Sequence, residues 1–153
     1  RCGYTTSTYT PYYGPWGGGS VQIRAAGTVA ISGLISANGA TGTGNCGPAS
    51  SGGSIYITCN TFIGNTSGAL QAKGADGLSG IGAGNVNISG GGGGGGRIAV
   101  WRINDNTIGL ISNDVSGGRG FATNATFDSC LTAGPGTIVW GWLPAQGTII
   151  RFR

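Results

Sequence analysis

The sequence lacks the residue types on which most enzyme chemistry depends. It contains no His, no Glu and no Met among 153 residues, Lys73 is the only lysine, and charged residues make up 8%. A Ser-His-Asp triad is therefore excluded, and acid–base chemistry would fall to aspartates alone. No spacing selects a pair among the four that are present: Asp76, Asp105, Asp114 and Asp128. We expect the protein not to be an enzyme and predict no catalytic residues.

Signatures of metal sites, cofactors and membrane spans are also missing. The cysteines form no Cys-x-x-Cys pair and there is no His to join them, so we expect no metal site. The seven glycines of Gly90–Gly96 are not followed by the Lys-Ser/Thr pair of a phosphate-binding loop, so we predict no cofactor. No apolar run approaches the ~20 residues that a membrane-spanning helix needs.

The basic residues give a formal net charge of +4 but form no cluster along the chain. Arginines are spread among the glycine-rich segments, and the stretch Gly117–Phe121 is a single RGG-like match. One such match is weak without a surrounding basic patch, and a loop is the simpler interpretation. We therefore expect no nucleic-acid partner.

The cysteine count indicates an oxidising compartment. Cys2, Cys46, Cys59 and Cys130 are an even number, which is typical of secreted proteins. We predict that all four are oxidised; three pairings are open, and Cys2 is favoured to tie the N-terminus to the rest. The start at Arg1 rather than Met indicates a processed chain whose targeting segment has been removed. We expect an extracellular or cell-surface location; the alternative is a cytosolic protein with four free thiols.

Glycine, by contrast, is abundant, and it begins a five-residue sequence motif that recurs four times. It supplies 35 residues. Each copy of the motif follows a glycine-rich stretch and continues with alternating aliphatic residues: Gly19–Ile23, Gly53–Ile57, Gly96–Val100 and Gly136–Trp140. Self-similarity at a period of roughly 20–50 residues is typical of solenoids and related repeat folds. The pattern therefore predicts architecture before it predicts chemistry.

Within each unit, apolar residues alternate with polar ones in short runs bounded by Gly, Asn or Ser, which predicts strands and turns. We predict that one inward pair from each unit stacks on that of the next: Val21/Ile23, Ile55/Ile57, Ile98/Val100 and Ile138/Trp140. Three segments between the units are predicted to be glycine-rich loops: Ala40–Gly52, Ala75–Gly95 and Phe121–Pro135.

These motifs resemble those of glycine-rich, secreted or surface-displayed parallel β-helix repeat proteins. The resemblance covers about Gly17 to Val139 and is most specific at Ile35–Gly39, Gly53–Ile57, Gly90–Val100 and Gly134–Val139. It implies an all-β fold, a short right-handed parallel β-helix or β-solenoid of about four coils with loop inserts, and brings no catalytic residues. We divide the chain into an extended N-terminal arm, 1–16, and a β-solenoid domain, 17–153. The chain departs from that class because it is very short and its arm has no counterpart in the repeats.

The raw ends of such a fold suggest self-assembly. A solenoid ends in rows of unpaired backbone groups that stable monomers cover with caps, charge or proline. This chain is poor in charge, and its arm is a β-prone segment of the kind that adds to a sheet edge. We predict a structural, self-assembling subunit (a homopolymer) of an extracellular filament or surface layer. The candidate assembly residues are Tyr4, Tyr9, Tyr12, Tyr13, Trp16, Ile150 and Phe152.

Other functions stay open at this point. The alternative is a carbohydrate-binding or adhesive module of a surface exoprotein, with glycans as partners, because exposed aromatic rings stack on sugars. An ice-binding solenoid would need a flat array of Thr at the repeat spacing, which the sequence does not show. Three Asn-x-Ser/Thr sites would accept glycans in a suitable secretory pathway: Asn65, Asn87 and Asn124.

Overall fold

The described part of the chain is built from β-strands. A computed structural model describes residues 14–42, 48–81, 87–121, 127–128 and 132–145, and no α-helix occurs among them. The strands, in chain order, are β1 (Ser20–Arg24), β2 (Thr28–Ile31), β3 (Leu34–Ser36), β4 (Ser54–Gly64), β5 (Ala69–Gln71), β6 (Ser79–Ile81), β7 (Asn87–Ser89), β8 (Arg97–Asp105), β9 (Ser112–Asp114), β10 (Gly120–Phe121), β11 (Phe127–Asp128) and β12 (Thr137–Trp142).

Two parallel sheets carry the repeats. The larger has the strand order β1-β4-β8-β12, with β2 also paired to β4, and the smaller has the order β3-β5-β9. Strands β6 and β7, and strands β10 and β11, form antiparallel pairs of their own. We call the repeat units the first (17–39), second (52–74), third (95–117) and fourth (136–145). Each unit contributes at least one strand to the larger sheet.

The predicted register of the repeats is confirmed. Val21 pairs with Ile55, Ile55 with Ile98, and Ile98 with Ile138. The second inward position follows in the same way from Ile23 through Ile57 and Val100 to Trp140. Because strand side chains alternate between the two faces, this register places each aliphatic pair over the next and forms two continuous columns.

The predicted right-handed β-helix of four coils is wrong. The described strands form open parallel sheets that do not close into a helical coil. The second unit has one long strand, β4, where the first unit has two short ones, β1 and β2. The fourth unit adds β12 to the larger sheet but no described strand to the smaller. The segment Ala75–Gly95, expected to be a loop, contains the short antiparallel pair β6/β7, and the pair β10/β11 extends into the expected loop Phe121–Pro135.

The strands do not close into a helical coil because glycine-rich segments, and not strands, lie where a further sheet would be needed to close it. We call these segments, 17–19, 52–53, 93–96 and 134–136, the glycine seam. They hydrogen-bond to one another through the backbone: Gly52 N–H donates to Gly94 O at 2.8 Å, and Gly95 N–H to Gly134 O at 3.0 Å. They also bond to the segments that follow the smaller sheet, as when Gly53 N–H donates to Ala37 O at 2.7 Å. The backbones are satisfied without strand pairing.

The core lies between the two sheets, under the middle repeats. Ile55, Ile57 and Cys59 of β4 are at most 1% exposed, and the inward alternation then shifts by one residue so that Phe62 is fully buried. The shift falls at Asn60, where β4 stops pairing with β1 and starts pairing with β2. Leu70 of the smaller sheet closes this core from the other side.

Cys59 is a free, buried thiol, so the expectation that it is oxidised does not fit the structure. It occupies an inward position beside Ile57, which the period-two alternation of β4 dictates. Burial raises the pKa of the Cys59 thiol, which keeps it protonated and unreactive. Cys2, Cys46 and Cys130 lie outside the described residues; with Cys59 free, at most one disulfide within the chain can form among them, and that pairing stays a prediction.

Candidate assembly ends and a polar groove

The larger sheet has two open edges within the described residues. Strand β1 pairs only with β4, and β12 pairs only with β8. Thr137 N–H donates to Gly96 O and Leu143 N–H to Arg102 O, so odd-numbered residues of β12 face β8. By alternation, the backbone groups of Ile138, Trp140 and Trp142 point away from the sheet. An edge of this kind is a template for a further strand.

The opposite edge offers the complementary pattern. Ser54 N–H donates to Gly19 O and Ala25 N–H to Thr58 O, so Val21 and Ile23 present their backbone groups to β4. The groups that point away from β4 therefore belong to Ser20, Gln22 and Arg24. A β1 strand from a second copy, laid beside β12, would continue the register that already relates the four repeats.

The core columns are incompletely covered at both ends. Ile55 and Ile98 are 1% and 0% exposed, but Ile138 of the same column is 41% exposed. In the second column, Ile57 and Val100 are fully buried, whereas Ile23 and Trp140 are only half-buried. The same apolar position is thus fully buried in the middle strands and only partly buried in the first and last strands.

Exposed apolar side chains follow the same distribution. Among the described residues, none of the large exposed hydrophobic side chains belongs to the second unit. Trp16 directly precedes the first unit, and the others belong to the first, third or fourth: Leu34, Ile108, Leu110, Ile138 and Trp142. Isolated exposed hydrophobic residues are ordinary, but their concentration at one place marks an interaction surface. Here they lie on both sides of the second unit, and Ile138 and Trp142 lie on the β12 edge itself.

A buried arginine organises the β12 end. Arg102 is 8% exposed, and its Nε donates to Asp105 Oδ2 at 2.8 Å while Nη1 donates to Gly141 O at 3.2 Å. Its guanidinium lies 4.3 Å from the centre of the Trp142 ring and 5.0 Å from that of Trp140. The arginine is paired and covered by two aromatic rings, which positions both tryptophans on the edge strand.

A pocket of about 390 Å³ opens beside this cluster. Trp140, Leu110 and Ile111 supply its apolar wall, and Arg102 and Asp105 its polar one. Asn113, also in the lining, has a side-chain oxygen that is buried without a hydrogen-bond partner. Such a group costs about 1–3 kcal/mol. This end of the molecule is therefore packed less completely than its middle.

A second, polar groove crosses the side of the first three units rather than an end. Its volume is about 510 Å³, and its lining includes Asn38 of the first unit, Lys73 and Asp76 of the second and its insert, and Ser116 and Arg119 of the third and its insert. Small inward residues, Ala37, Ala72 and Val115, precede Asn38, Lys73 and Ser116 and hold them in a row.

Two ion pairs flank this groove. Arg119 Nη2 lies 3.0 Å from Asp76 Oδ2, and Lys73 Nζ lies 3.6 Å from Asp114 Oδ2. The backbone N–H of Arg119 also donates to Asp76 Oδ1 at 2.7 Å. That bond, with the guanidinium, holds the pKa of Asp76 below its usual value against the effect of burial. The backbone N–H of Ser116 lowers the pKa of Asp114 in the same way.

The pKa of the third carboxylate, Asp105, is also lowered, but the contributions to this shift differ. Burial acts to raise its pKa, but hydrogen bonds from Thr107 and Arg102 outweigh burial and lower the pKa below its usual value. Thr107 donates to Asp105 Oδ1 from both its N–H, at 3.1 Å, and its hydroxyl, at 2.5 Å. All three carboxylates are therefore ionised at neutral pH.

These shifts predict that acid destabilises the fold. A carboxyl group whose pKa is lower in the folded than in the unfolded chain stabilises the fold above the unfolded value, about 3.9, and this stabilisation is lost as the pH falls below it. We expect the urea midpoint to be level from pH 7 to about pH 5 and to fall below about pH 4. Asp105→Asn should flatten part of that fall. A midpoint that rises on acidification would contradict the pKa directions.

The other predicted site residues are only partly placed. Tyr4, Tyr9, Tyr12, Tyr13, Ile150 and Phe152 lie outside the described residues, as does Asn124. Trp16 is described and is 88% exposed. Asn65 forms a local turn by accepting a hydrogen bond from Ser67 N–H at 2.9 Å. For Asn87 the backbone of β7 alone is described.

Sequence reasoning missed the groove residues because their ion pairs join different repeats and depend on the register. It also missed Arg102 and Asp105, which pair within β8, because nothing in the sequence signals that Arg102 is buried. In the part of the chain that the structure describes, no three His, Cys, Asp or Glu side chains come together as metal ligands would. None of its segments forms a helix with the length and apolar character needed to cross a membrane. Comparisons with protein-family models, with curated proteins and with solved structures each give no match.

Proposed function

We propose that the protein is a structural subunit that assembles head to tail, outside the cell, by adding the β1 edge of one copy to the β12 edge of the next. The observation that carries the proposal is the full burial of each core column in the middle strands and its incomplete burial at both ends. A second copy placed in register would cover Ile138 and Trp140 with Val21 and Ile23.

The two edges differ, so the contact is heterologous. An interface between unlike surfaces leaves one unused edge at each end of every dimer, and it produces an open chain unless a rotation closes a ring. The four existing repeats already show that this parallel register satisfies backbone and core together. Because backbone pairing and apolar contact are little affected by salt, the assemblies should persist at high ionic strength.

A single proline on the edge tests this proposal. Ile138 N–H points away from the sheet, so Ile138→Pro removes a donor from the interface and not from the pairing with β8. We expect the variant to keep its far-ultraviolet circular dichroism spectrum and to lose concentration-dependent light scattering. Ile138→Ala, which keeps the N–H, is the control and should still associate. A proline variant that associates like the unmodified chain, or an unmodified chain that stays monomeric at high concentration, would overturn the proposal.

A further inference from the structure

The charged residues of this chain are concentrated around one groove. The structure describes eight charged side chains, and only the backbone of a ninth charged residue, Asp128. The eight are Arg24, Lys73, Asp76, Arg97, Arg102, Asp105, Asp114 and Arg119. Half of them form the two ion pairs at the groove across the first three units, Lys73 with Asp114 and Arg119 with Asp76. Ion pairs as exposed as these add little to stability. Their stabilising effect does not account for their concentration in so charge-poor a chain.

The groove is electrically balanced and rich in hydrogen-bonding groups. Lys73, Arg119 and Asp76 line the groove, and Asp114, the partner of Lys73, lies beside the lining, so each cation is paired with a carboxylate that is ionised at neutral pH. An anionic ligand would have to compete with Asp76 and Asp114 for their cationic partners, and a cationic one would meet Lys73 and Arg119. An apolar ligand would leave all of these groups without water. The chemistry that fits is an uncharged ligand that donates and accepts hydrogen bonds along its length.

Hydrogen bonds between neighbouring repeats hold the polar groups of the groove in place. Asn38 Nδ2 donates to Gln71 Oε1 at 3.1 Å, and Lys73 N–H donates to Asn38 Oδ1 at 2.7 Å, so neighbouring repeats fix the floor of the groove. Since neighbouring strands lie about 4.8 Å apart, the outward positions of three successive repeats span roughly 10 Å. Arg119 and Asp76 border the groove through a bond that joins two inserts. The polar groups are therefore pre-positioned for an extended ligand.

We propose that this groove binds a neutral carbohydrate, with the hydroxyl groups of a short oligosaccharide hydrogen-bonded to Lys73, Asp76, Ser116 and Arg119. Carboxylates accept from hydroxyls and the cationic groups donate to them, and charge-assisted bonds of this kind are stronger than neutral ones. The groove lies on the side of the repeats, away from the β1 and β12 edges. Sugar binding and head-to-tail assembly are independent, and an assembled chain would repeat the site along its length.

The test is binding of the full chain to immobilised oligosaccharides. The probes are neutral oligomers of glucose, galactose, mannose and N-acetylglucosamine, beside heparin fragments and polyuronates. We expect binding to at least one neutral oligomer and none to the anionic ones. Asp76→Asn and Arg119→Ala should each weaken it about tenfold, the effect of losing one charge-assisted hydrogen bond. Arg24→Ala and Arg97→Ala, exposed and outside the groove, are the controls and should bind normally.

Each other outcome counts against the groove. Binding only to heparin or polyuronates, binding to no neutral oligomer at millimolar concentrations, or binding that both groove variants retain would overturn the proposal. Light scattering of the same variants separates this proposal from the assembly proposal, because Asp76→Asn and Arg119→Ala leave both sheet edges intact. Those variants should associate like the unmodified chain even where they no longer bind sugar.

Discussion

Ile98→Asp is expected to abolish folding, whereas the same substitution at Ile138 should leave a folded chain. Both residues belong to one core column, but Ile98 is 0% exposed and Ile138 is 41% exposed. At Ile98 a carboxylate would be enclosed by β4 and β12 without a partner, and an uncompensated buried charge costs several kcal/mol. Natural domains are stable by only about 5–15 kcal/mol. At Ile138 the carboxylate reaches water.

Circular dichroism and urea titration of the two variants provide the measurement. Ile98→Asp should show no cooperative unfolding transition, and Ile138→Asp should unfold with a midpoint near that of the unmodified chain. Ile98→Val, which keeps the column apolar, is a control that should cost about 0.5–1.5 kcal/mol. If the two aspartate variants were equally stable, the column would not be the core.

Gly95→Ala is the second change with a large expected effect, and its neighbour supplies the control. A Cβ on Gly95 would overlap the carbonyl oxygen of Val115 and the amide of Gly136, both of which are backbone atoms that cannot rotate away. A Cβ on Gly94 would meet nothing within 4 Å. Overpacking against rigid atoms costs typically about 1–3 kcal/mol, and a backbone contact lies at the upper end.

We expect Gly95→Ala to lower the free energy of unfolding by about 3 kcal/mol. Gly94→Ala should change it little, or raise it by about 0.4–1 kcal/mol because alanine restricts the unfolded chain. Urea titration of both variants decides the matter. Equal effects at the two positions would mean that the seven-glycine run is a linker and not a packed seam.

The sequence predicts the register well because register depends on local pattern. The alternation around Val21, Ile55, Ile98 and Ile138 marks the inward face, and the preceding glycines mark where each strand begins. The same pattern does not determine how the chain returns from one strand to the next. The predicted helical coil failed there, because glycine segments without side chains can pack closely and satisfy their backbone groups outside any sheet.

The candidate sites were predictable only in part. Open strand edges follow from the repeat pattern, and the β1 and β12 edges lie where the array begins and ends. The polar groove joins residues that are 43 positions apart, such as Asp76 and Arg119. Nothing near either residue signals the other, since their contact depends on the register and on the path of two inserts. Likewise, composition alone gives no sign that Arg102 lies between two tryptophans.

Cross-linking across the proposed interface tests the central claim most directly. Ser20 and Thr137 occupy the first and last places of one outward column, in which the Ser20 and Ser54 hydroxyls already lie 3.0 Å apart. The double variant Ser20→Cys/Thr137→Cys should form, under mild oxidation, a ladder of covalent oligomers on a non-reducing gel. Either single variant should give no ladder. A double variant that stays monomeric, or single variants that give the same ladder, would contradict head-to-tail assembly.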